Sequence, residues 1–168
     1  MTNADLLVDS FRRIRDGVHD AVDGLTPEQL ASRLDDEANS IAWLVWHLTR
    51  VQDDHIAAVA GNEQVWTASG WAERFGLKLE VGDTGYGHTP EQVAAVMSDA
   101  EKLLSYHDVV CDTTCSFLQK VTDNDLDRVV DERWDPPVTL GVRLVSVIAD
   151  DLQHAGQAAL VRGILASR

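Results

Sequence analysis

Four stretches of this chain carry apolar residues at steps of three and four, a period that only helices satisfy. Leu6, Leu7, Phe11, Ile14, Val18 and Val22 mark the first, from about Asp5 to Asp23, with Gly24 closing it. The second begins near Asn39 or Ser40 and ends at Gly61, a glycine suited to the left-handed turn after a helix. Its expected inner stripe is Trp43, Leu44, His47, Val51, Asp54 and Ala58. Thr89-Pro90-Glu91-Gln92 opens the third with a capping box and a proline in the first turn, and the pattern runs on to about Val121. Thr139 caps the fourth, which reaches about Ala166. Little else reads as strand, so the chain is expected to be an all-α, four-helix bundle.

The connections refine that expectation. Thr26-Pro27-Glu28-Gln29 starts only a short helix, because the apolar period lapses by Asp36. Residues 62–88 hold Trp66 and Trp71 but no sustained period, and a connection that long between helices two and three predicts a crossover. Pro136-Pro137 forbids helix in the loop around Trp134. With no linker or repeat in its 168 residues, the chain is expected to form one domain, 1–168.

The formal net charge of −14 argues against nucleic acid and anionic membrane surfaces as partners, since both require a basic footprint. No apolar run is long enough for a membrane span. Met1 to Asp9 lacks the basic segment and apolar block of a secretion signal, so the cytoplasm is the expected compartment. Cys111 and Cys115, the only cysteines, stand at i and i+4 in a helix, a placement that suits packing better than a disulfide.

The candidate chemistry lies on helices two and four. Asp150 and Asp151 stand four and three residues before His154, within reach of the same helix face at about 6 Å. His47 occupies the apolar stripe of helix two. A lone inward histidine is more often a hydrogen-bonded core residue than a ligand. Two histidines with a carboxylate make a different set: a two-histidine, one-carboxylate site with open positions, typical of catalytic metals. Either aspartate can supply the carboxylate, and the other is left to orient a histidine or to face solvent. His55 lies about 12 Å of helix rise beyond His47, too far to share its ion. His19, His88 and His107 read as solvated or hydrogen-bonding residues, and Asp53-Asp54 as charge on a helix flank.

Three segments carry a family resemblance: Trp43-Leu-Val-Trp-His47-Leu, Gly85-Tyr-Gly-His-Thr89, and Asp150-Asp-Leu-Gln-His-Ala-Gly-Gln157 followed by Leu160-Val-Arg-Gly163. Over nearly its whole length the chain resembles the DinB-like superfamily, which includes mycothiol-dependent maleylpyruvate isomerases and mycothiol and bacillithiol S-transferases. The resemblance makes His47 the ligand of helix two and His154 the last ligand. It places Asp150 where many members have a histidine; a carboxylate there resembles the isomerase branch, whose middle ligand is acidic.

Two functions follow from that resemblance. One is an enzyme, a thiol S-transferase or isomerase. His47, Asp150 and His154 would hold a divalent metal, most simply zinc, beside a low-molecular-weight thiol such as mycothiol that meets an electrophile. Trp43 would wall the cofactor pocket and Arg143 would meet a substrate carboxylate. The other is a non-catalytic, stress-related metal-binding bundle. Both are compatible with a homodimer.

Overall fold

The computed structural model describes residues 1–167, and its helices start where short polar side chains can take up the free amides of a first turn. Helix α1 (Asn3–Val22) begins with Thr2 accepting from the Asp5 amide. Two short helices, α2 (Pro27–Ala31) and α6 (Pro90–Ala95), begin at the capping boxes of Thr26 and Thr89. Helix α3 (Ile41–Ala60) begins at Ser40 and stops at Gly61, whose φ of 71° is the left-handed turn expected there. Helices α4 (Val65–Ala68) and α5 (Trp71–Phe75) lie in the long connection. Helix α7 (Ala100–Leu118) follows Asp99, and α8 (Leu140–Ala166) follows Thr139.

One expected helix is two. The third segment breaks after Ala95 because the backbone turns extended at Val96, and Asp99 then caps a fresh start by accepting from the Lys102 amide at 2.7 Å. Val93 and Val96 are buried on one side of the break and Leu103 on the other, so the apolar period continues through it. A 3-10 turn (Asp123–Asp127) and a small antiparallel hairpin, β1 (Val129–Asp131) with β2 (Val138–Thr139), lead into α8.

The four long helices form a square in which α3 and α1 each pack against both α7 and α8. Thr49 meets His107 and Gln52 meets Thr114, so α3 and α7 run parallel. Parallel neighbours cannot be joined by a tight turn, and the long connection with α4, α5 and α6 is the crossover that joins them. His55 meets Arg143 while His47 meets His154, so α3 and α8 run antiparallel. Phe11, Ile14, Leu44, Leu48, Leu103, Leu118, Leu140 and Leu144 fill the shared core.

The crossover also covers the outer side of α3. Every residue from Ile41 to Arg50 is buried, and Trp66, Phe75 and Tyr106 pack their rings at 5.2–5.8 Å over that end. Arg50, fully buried, donates to the Asp83 carbonyl at 3.2 Å and to Gln64 at 2.8 Å, with its guanidinium 4.8 Å from the Trp66 ring. Asp53 is not flank charge. It is buried, accepts from the Val65 and Trp66 amides at 2.9 and 2.8 Å and from the Tyr106 hydroxyl at 2.8 Å, and so caps α4. The inner face beyond His47 is therefore Gln52, Asp53 and Ile56, while Val51 and Asp54 are half-buried and Ala58 is exposed.

Candidate metal centre

The helical period puts Asp150 and His154 one turn apart on α8, and the antiparallel α3 brings His47 to the same level. One ligand atom from each of the three residues lies within 4.8 Å of the others. The two imidazole rings meet edge to face, with centroids 4.7 Å apart. His47 Nδ1 is 2.5 Å from the Thr84 carbonyl, and His154 Nδ1 is 2.9 Å from the Asp150 carbonyl. A carbonyl only accepts, so both Nδ1 atoms carry a proton, and in the neutral ring the lone pair is on Nε2. That is how histidines are prepared for metal ligation. Asp150 Oδ2 is buried and lies 3.4 Å from His154 Nδ1, the pair holding one another on the same helix face.

The charge states suit a cation. Burial lowers the His47 pKa and keeps the ring neutral. Burial works against the ionised form of Asp150, but the hydrogen bond and charge of His154 outweigh it and hold the pKa below the usual range. For His154 burial opposes the charge too, and Asp150 more than compensates, so its pKa is raised. Two imidazoles and a carboxylate are a donor set that fits a divalent ion.

His47 is held from several sides. The Trp43 ring stacks on it at 4.6 Å and 10°, and donates its own Nε1–H to His88 Nδ1 at 3.0 Å. His88 Nε2–H donates to Asp83 Oδ2 at 2.9 Å, and Asp83 Oδ1 accepts from the Gly85 amide at 2.8 Å. Gly85 has a φ of 91°, and a Cβ there would stand 2.8 Å from His47 Nδ1. Only glycine lets the loop come close enough for Thr84 to reach the ring.

His47 and Asp150 open onto a cavity of about 480 Å³ between α3, α8 and the hairpin. Its far wall holds Arg143, His55, Asp131, Arg133 and Trp134. Arg143 lines it with its guanidinium already engaged: it donates to Asp131 at 3.0 Å and to His55 Nδ1 at 3.3 Å. Asp131 also accepts two hydrogen bonds from the Arg133 guanidinium, and those bonds hold its pKa well below the usual carboxylate range.

A family model described as mycothiol-S-transferase matches residues 6–167. The chain belongs to the mycothiol S-transferase family. A crystal structure of a conserved protein from Enterococcus faecalis has the same fold, with a TM-score of 0.92 at 30% identity over 100% of this chain and 99% of that one. No curated protein matches. Among the described residues, no helix is long and apolar enough to cross a membrane.

Within this mycothiol S-transferase family fold, two expectations are corrected. Asp151 neither faces solvent nor orients a histidine: it is fully buried and neither carboxylate oxygen has a partner, because the α8 face one residue from Asp150 points into the bundle. Trp43 does not wall the cavity; it is buried and braces His47 instead. The remaining histidines act through hydrogen bonds, His19 to Asp108, His88 to Asp83 and His107 to Thr49. Cys111 and Cys115 are free and buried.

Proposed function

We propose that this member of the mycothiol S-transferase family is a divalent-metal-dependent enzyme that joins a low-molecular-weight thiol, mycothiol being the family's example, to an electrophile. The observation that carries this reading is the convergence of one ligand atom from each of His47, Asp150 and His154 within 4.8 Å, beside an open cavity that His47 and Asp150 line. His47, Asp150 and His154 would hold the ion, most simply zinc. When bound, the cation lowers the pKa of an adjacent thiol far enough to favour thiolate at neutral pH.

In the transfer, the thiolate sulfur bonds to an electrophilic carbon, the leaving group departs with its bonding pair, and the thiol proton passes to solvent. Reversible addition to a double bond would give isomerisation by the same first bond. Arg143, held by Asp131, would orient an anionic or strongly polar group in the cavity. The chain's own thiols are poorly suited to be the nucleophile. Burial pushes the Cys111 thiol up to about 12, and its hydrogen points to the Phe11 carbonyl. The working unit is one domain, residues 1–168, acting in the cytoplasm.

The test is thiol conjugation with mycothiol and a generic electrophile, using protein purified without chelator. Metal-replete protein should accelerate conjugation, a chelator should remove that acceleration, and added zinc should restore it. Cys111→Ser with Cys115→Ser should leave the rate nearly unchanged. A metal-loaded protein with no turnover across several thiols and electrophiles would make the chain a non-catalytic metal-binding bundle.

A further inference from the structure

The outward face of α8 has a pattern that the site on its inner face does not require. Val142, Val145, Ala149, Leu152, Gly156, Ala159 and Gly163 recur at alternating steps of three and four, and all are exposed. Val142, Val145 and Leu152 are 56%, 61% and 50% exposed, and neighbouring Leu160 is 61% exposed. This is the a/d spacing of a coiled-coil seam, carried by a helix that no other described element covers on that side.

Charge distinguishes this face from the rest of the surface. Among the described residues of α8, no exposed position is charged; Ser146, Gln153 and Gln157 are the polar ones. The outer faces of α1 and α7, by contrast, expose Asp5, Asp9, Asp16, Glu101 and Asp112. A chain of net charge −14 repels its own copy wherever acidic faces meet. The α8 face is where two copies can approach without that repulsion, and depletion of charge is the compositional mark of an interface core.

The residues along the row also complement themselves. If a second α8 lies antiparallel with the two-fold axis beside Leu152, then Val142 faces Gly163, Val145 faces Ala159, and Ala149 faces Gly156. Each larger side chain meets a small one on the partner helix, and the two leucines meet at the axis. In a parallel pairing, valine would stack on valine at one end and glycine on glycine at the other, leaving gaps. Isologous contacts of this kind close into a dimer. We propose that the protein is a homodimer built on an antiparallel α8–α8 seam centred on Leu152. The cavity takes Arg143, Ser146, Val147 and Asp150 from the neighbouring side of α8, so such a seam leaves it open.

Sedimentation of the full chain over a concentration series tests this. The wild type should be a dimer, and Val145→Glu with Leu152→Glu should be a monomer with unchanged helix content by circular dichroism. Single cysteines give the register without disturbing the fold: Leu152→Cys should crosslink to itself with a short bismaleimide. Val142→Cys should not, because the copies of residue 142 would lie ~30 Å apart along the helices, but it should crosslink to Gly163→Cys in mixed dimers. A monomeric wild type, or a dimer that survives both glutamates, would overturn the proposal. Efficient self-crosslinking of Val142→Cys would overturn the antiparallel seam.

Discussion

His47 Nδ1 lies 2.5 Å from the carbonyl oxygen of Thr84, a contact between a helix and a loop separated by 37 positions in sequence. It fixes which nitrogen of His47 carries a proton, and so leaves the lone pair of the neutral ring on Nε2. The loop reaches the ring only because Gly85, beside Thr84, has no side chain.

Gly85→Ala therefore tests the loop. The added methyl would stand 2.8 Å from His47 Nδ1 at a φ of 91°, which L side chains rarely adopt. We expect zinc affinity to fall roughly 10- to 100-fold, the usual consequence of losing a ligand's supporting contact, with the helices intact by circular dichroism. Unchanged affinity by competition with a chromogenic chelator would show that Thr84 is dispensable.

Adjacent aspartates separate ligand from core. Asp150 shares the cluster with both histidines, whereas Asp151 is fully buried and out of their reach. Asp150→Ala should lose far more metal than Asp151→Ala, measured by elemental analysis after gel filtration. The reverse order would place the wrong face of α8 at the site.

His107 makes stability depend on pH. It is fully buried, and burial lowers its pKa from 6.5 to about 4. Its Nδ1–H donates to Thr49 at 3.0 Å, and Nε2 has no partner, so the folded protein holds the neutral ring. Above pH 6.5 both states are neutral and the contribution is full. Between 6.5 and about 4 the unfolded chain takes up a proton that the native chain refuses, and stability falls. At pH 5 the loss should be roughly 2 kcal/mol relative to pH 7. Urea titrations of wild type and His107→Gln at both pH values should differ by that amount; equal slopes would mean that His107 is not held neutral.

What could be read in advance depended on range. The caps at Thr26, Ser40, Thr89 and Thr139 were legible because a capping oxygen and its amide lie three residues apart. The Asp150/His154 pair was legible for the same reason, one helical turn being a local distance. The break between α6 and α7 was not, because Val93, Val96 and Leu103 keep the apolar period through it. Asp53 was misread as flank charge because what buries it is the crossover, folding back from residues 65 and 66. The Thr84 carbonyl is a backbone atom that every residue type supplies, so no sequence pattern marks it. Pairing His47 with helix four rests on residue type and on the family resemblance together, since nothing local to either helix fixes their relative depth.

Metal content tests the central reading most directly. Wild-type protein and His47→Ala, both purified without chelator and incubated with zinc, should be compared by elemental analysis alongside circular dichroism. We expect close to one zinc per wild-type chain and little in the variant, with helix content unchanged. Full zinc occupancy in a folded His47→Ala protein would show that His47 is not a ligand and would contradict the site on which the proposed function rests.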